Sequence, residues 1–142
     1  MTQLNFHNNL GRNIRAHTQV LPIIQRFISV YKLWDGFKND FPKKSRYTLG
    51  AKIDFLFLEV IELLFVARYL GGQSKLPSLQ KAAGKLDLLK FFLQISWELK
   101  TLENKKYIAL SEPLGEIGKM LGGWMRNTAI TKTSAAKNAA GE

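Results

Sequence analysis

The chain has 142 residues, enough for one domain with a single core, and its 21 Lys and Arg against 11 Asp and Glu give a formal charge of +10. It contains no cysteine, which excludes a disulfide framework, a thiolate metal site and a cysteine nucleophile. A field of that sign attracts polyanions, nucleic acid first and an anionic membrane surface second.

Met1 to Thr18 carries polar Asn and His where a secretory signal needs an apolar run, so export is not expected and residues 1–17 read as a polar arm. A first helix is expected from near Thr18, a candidate N-cap, with Val20, Ile24, Phe27, Tyr31 and Trp34 on one face. It should stop before Phe41-Pro42, because the residue before a proline avoids helical geometry. A second helix starts after Ser45 and ends at Gly71-Gly72, and a third runs from about Pro77 to about Glu103. The fourth follows Asn104 and reaches about Asn127; Pro113 means either a kink or a start at Ser111 with the proline in the first turn. Thr128 to Glu142 is Ala, Thr, Lys, Ser and Asn and reads as a flexible basic tail. Residues 18–127 are therefore expected to form an all-α, antiparallel up-down-up-down four-helix bundle; no segment shows the alternation of a strand.

Phe55 to Ala67 is apolar except at Glu59 and Glu62, and it falls short of the ~18–20 residues that cross a bilayer. A soluble chain is expected. A helix apolar nearly all the way round exceeds what one small core covers, which points to a homo-oligomer with Phe55 and Phe57 as candidate contacts. The third helix repeats the pattern, with Leu86, Leu89 and Leu93 in one stripe and Leu88, Phe92, Ile95, Leu99 and Leu102 in another. The plainer alternative is that wide apolar faces fill a single bundle.

No catalytic constellation emerges, and no metal or other cofactor is expected. Gly118-Lys119 ends like a P-loop, but Met120 stands where Ser or Thr must reach the metal, and Pro113 where a glycine is required. Glu59 and Glu62 have di-metal spacing without the partner histidine; His7 and His17 lie in the arm. Ser96 and Ser111 have no identifiable base.

In an up-down-up-down bundle the end of helix one, the start of helix two, the end of helix three and the start of helix four share one pole. That pole gathers Lys43, Lys44, Arg46, Lys105 and Lys106, a candidate phosphate-binding surface. On the fourth helix, Gly115, Gly118 and Gly122 share one side, opposite Leu114, Ile117, Met120, Leu121 and Trp124. Lys119 and Arg126 edge the glycine side, which would let a second backbone approach closely; alternatively Gly122-Gly123 is a helix C-cap. The candidate interface residues there are Gly115, Gly118, Gly122 and Trp124.

Phe41-Pro42-Lys43-Lys44, a tyrosine-containing turn with Leu49-Gly50, the apolar second helix and above all Glu116-Ile117-Gly118-Lys119-Met120-Leu121-Gly122-Gly123-Trp124 resemble the accessory variability determinant (Avd) proteins of diversity-generating retroelements. The resemblance spans about Tyr31 to Arg126; the Asn-rich N-terminus and the Ala/Lys tail lie outside it. It implies a non-enzymatic, cytoplasmic protein of a prokaryote or phage, assembled as a basic pentameric ring. Its implied partners are the element's reverse transcriptase, its template RNA and cDNA, and its implied role is support of mutagenic retrohoming. Lys43, Lys44 and Lys119 coincide with the motif, whereas Arg46, Lys105, Lys106 and Arg126 rest on the pole and face arguments. A four-helix family encoded in ribosomal RNA intervening sequences, which lacks the Gly-Gly-Trp ending, is one alternative, and a protein-only interaction scaffold is the other.

Overall fold

The computed structural model describes residues 21–140, the side chains of 131–137, 139 and 140 excepted. The expected arm, the Thr18 cap and Val20 lie outside the described residues. Within them the fold is all-helical: α1 spans Pro22–Phe37, α2 Ala51–Tyr69, α3 Lys75–Glu98 and α4 Asn104–Ala140. A 3-10 turn, a single helical turn at Lys43–Ser45 and a π turn at Arg46–Gly50 lead from α1 into α2. Each helix packs on the next and α4 closes against α1, giving the expected bundle.

α1 opens with Pro22 in its first turn, where the missing N–H is no loss. Its buried face is Ile23, Phe27, Val30 and Trp34, one position round from the expected one, with Ile24 and Tyr31 at the rim of the core. The adjacent apolar pairs Ile23-Ile24 and Val30-Tyr31 give spacing alone two nearly equivalent faces. Phe27, Tyr31 and Trp34 meet Phe57 of α2 with ring centroids 5.4, 5.6 and 6.1 Å apart, and Phe41 stands edge-on to Trp34 at 5.3 Å. Fully burying such a side chain stabilises by roughly 1.5–3 kcal/mol, so this cluster anchors the α1–α2 pair.

The third helix ends at Glu98, not near Glu103. Thr101 and Leu102 N–H both turn back to the Ser96 carbonyl, and Lys100 takes a left-handed φ of 60°. Apolar spacing continues through Leu99 and Leu102 and no glycine marks the stop, so the sequence overruns it. Leu102 is buried in the turn and Leu99 is exposed.

α4 is a single helix through Pro113, so a start at Ser111 is overturned. Ser111 Oγ instead donates to the Tyr107 carbonyl inside the helix. The helix also passes Gly122-Gly123, which are therefore not a C-cap, and continues beyond Asn127 to Ala140 where a flexible tail was expected. Ala and Lys favour helix, and neither proline nor glycine interrupts Trp124 to Ala140. Leu110, Leu114, Ile117 and Leu121 form its buried stripe, with Met120 and Trp124 packed at the edge.

Candidate nucleic-acid interface

The pole that joins α1 to α2 and α3 to α4 forms as the topology requires. Lys106, in the first turns of α4, donates to Asp40 Oδ2 at 2.7 Å and lies over the Phe37 ring, 5.6 Å from its centroid. The hydrogen bond to Asp40 raises the Lys106 pKa above the ordinary lysine value. Arg46 is exposed but bound back to the connection: its Nη2 donates to the carbonyls of Asn39, at 2.8 Å, and Phe41, at 3.2 Å. Both cations thus hold the α1–α2 connection in place.

Lys43, Lys44 and Lys105 differ. All three are exposed, and among the described residues none forms an ion pair with a carboxylate. Lys43, Lys44 and Lys105 are therefore outward cations of the pole, beside a connection that Arg46 and Lys106 brace.

Beneath this frame lies a polar network. Asp54 Oδ1 accepts from Trp34 Nε1 at 3.1 Å and from Tyr31 Oη at 3.2 Å, and Lys38 Nζ is 3.5 Å away. Burial, then the Asp54 charge, pushes the Tyr31 hydroxyl pKa up, while the hydrogen bond to Asp35 raises that of Lys38. The network fixes the register of α1 against the start of α2, and hence the turn that carries Lys43 and Lys44.

Lys119 and Arg126 do not join that pole. At 1.5 Å of rise per residue, Arg126 lies about 30 Å along α4 from Lys105. Nor is the glycine side of α4 bare throughout. A Cβ on Gly118 would stand 3.0 Å from Lys90 Nζ of α3, and the Arg126 guanidinium folds back over Gly122 and Gly123. Gly115 alone of the candidate glycines meets nothing within 4 Å; it borders a cavity of about 300 Å³ between α3 and α4, lined also by Lys90, Phe91, Tyr107 and Ser111.

Phe55 and Phe57 separate cleanly. Phe57 is fully buried under α1, which removes it from any interface, because its face of α2 points at the chain's own core. Phe55 is 56% exposed and shares its side of α2 with the exposed Leu58, Phe65, Val66 and Tyr69, with Glu62 among them. Glu59, between that side and the core, pairs within the chain: Lys85 Nζ of α3 lies 3.4 Å from its Oε2, without a well-formed hydrogen bond. Among the described residues no cluster of acidic or histidine side chains is arranged to hold a metal, and no helix is long and apolar enough to cross a membrane.

The Gly-Gly-Trp segment thus lies on the last helix of a four-helix bundle. The bAvd-like family profile matches residues 16–128. The chain belongs to the bAvd-like family. The match takes in all four helices up to Thr128 and agrees with the Avd resemblance of the sequence. No curated protein is similar enough to the chain to count as a match.

The opposite pole of this bAvd-like chain holds two cations outside the candidate set. There Arg68 at the end of α2 and Lys75 at the start of α3 line a cavity of about 500 Å³ with Leu21, Met120 and Trp124. The topological argument that collects Lys43 and Lys105 at one end collects Arg68, Lys75 and Trp124 at the other. That was the signal available in the sequence.

Proposed function

We propose that this bAvd-like protein is a non-enzymatic accessory component of a diversity-generating retroelement. It binds the reverse transcriptase and the template RNA or its cDNA, and assembles as a homopentameric ring. The observation that carries the reading is the pole with Lys43, Lys44 and Lys105 outward and uncompensated on a +10 chain. Cations of that kind contact phosphates whatever the base sequence, and a ring multiplies each protomer's weak contacts by avidity. Subunit contact is supported by the Phe55, Leu58, Phe65, Val66 and Tyr69 strip, which a lone bundle leaves in water.

The test combines RNA binding with a mass measurement. A K43E/K44E/K105E chain is expected to lose affinity for structured RNA and duplex DNA alike, with its fold and its light-scattering mass unchanged. Unchanged affinity would refute the contact, and a 16.1 kDa mass for the unaltered chain would refute the assembly.

A further inference from the structure

We propose that the cavity at the other pole is a nucleotide pocket, distinct from the pole of Lys43, Lys44 and Lys105, that takes up a single unpaired nucleotide. Its volume, about 500 Å³, lies within the range of small-ligand sites. Its apolar lining includes Leu21, Met120 and Trp124, the last being the aromatic residue that ends the Gly-Gly-Trp segment. The same cavity is lined by Arg68 and Lys75 and by no carboxylate, and among the described residues neither cation has an ion-pair partner.

Both cations lie beside aromatic rings. Lys75 Nζ lies 5.7 Å from the Trp124 ring centroid, and the Arg68 guanidinium 5.4 Å from that of Tyr69. Ring faces hold a cation weakly and leave its N–H donors free, so both remain able to take up a phosphate. An apolar lining beside two cationic side chains fits a heterocycle joined to a phosphate, the base taking the Trp124 face as Lys75 turns from the ring to the phosphate; a bare anion would leave the apolar lining unused, and an apolar ligand would leave the cations so. Such a site would grip one base flipped out of a strand whose backbone is held elsewhere on the assembly.

The experiment follows the Trp124 indole N–H resonance of the full chain, assigned by loss in W124F, during titration with adenosine monophosphate, inorganic phosphate and a 5′-phosphorylated single-stranded tetranucleotide. The nucleotide and the tetranucleotide are expected to shift it, and R68Q/K75Q, checked for helicity and melting temperature, to weaken both about tenfold. The K43E/K44E/K105E chain should bind adenosine monophosphate as before, so that failure of the backbone contact and failure of the pocket read separately. No shift at millimolar nucleotide, unchanged affinity in R68Q/K75Q, or equal affinity for inorganic phosphate alone would each overturn the proposal.

Discussion

The indole Nε1–H of Trp34 donates to Asp54 Oδ1 at 3.1 Å, joining a fully buried ring of α1 to the first turn of α2. Tyr31 shares the same oxygen. Asp54→Ala would strand both donors, and an unmet buried donor costs about 1–3 kcal/mol. A loss of about 2–4 kcal/mol in urea unfolding is expected, against about 1 kcal/mol for Asp54→Asn, which keeps an acceptor but gives up the Lys38 contact. Equal losses in the two variants would show that the charge, not the acceptor, matters.

The same network sets a pH dependence. Burial and then Asp54 raise the Tyr31 pKa above its ordinary 10.0, and the Asp35 hydrogen bond raises Lys38 above its ordinary 10.5. The folded chain then holds these protons more tightly than the unfolded chain. Their contribution is complete below the ordinary values and is lost as pH rises through the folded ones. Urea midpoints should be flat from pH 7 to 9 and decline above about 10, less steeply in Tyr31→Phe. An identical decline in that variant would show that Tyr31 plays no part in it.

Phe55 and Phe57, two residues apart, should respond oppositely to a charge. Phe57→Glu puts an unpaired carboxylate into the aromatic cluster and should cost more than about 4 kcal/mol, enough to threaten folding. Phe55→Glu should keep the melting temperature of the bundle within a few degrees and lower the light-scattering mass. A folded, still-oligomeric Phe55→Glu chain would move the subunit contact away from the exposed strip.

Gly115→Ala separates stability from association. An added methyl meets nothing within the chain, and alanine in a helix interior gains about 0.5–1 kcal/mol over glycine. Thermal melts should therefore rise slightly. If a second backbone approaches along that side, the same variant binds its partner more weakly; a gain in stability with no change in any association would leave Gly115 without a contact role.

The bundle was legible because its signals are local: helical spacing, Pro42, Gly71-Gly72 and the Asn104 start. Local signals fall short where a choice depends on distant groups. The face of α1 turns on which of Ile23 or Ile24 enters the core, and the end of α3 on a left-handed lysine that no propensity announces. At the candidate site, charge and topology sufficed to collect the lysines of one pole. They could not tell that Arg46 would be spent on two carbonyls and Lys106 on Asp40, since those partners are fixed only by the folded turn. Lys90 lying over Gly118 was likewise beyond the periodicity of a single helix.

Phosphate binding by Lys43, Lys44 and Lys105 is the centre of the proposed function, and the salt dependence of RNA binding measures it directly. Log K against log salt should fall linearly, and K43E/K44E/K105E should make the slope shallower by about 2–3 for each bound protomer, at roughly 0.7–0.9 for every phosphate that is no longer neutralised. A slope near zero in the unaltered chain, or one that the triple variant leaves unchanged, would contradict it.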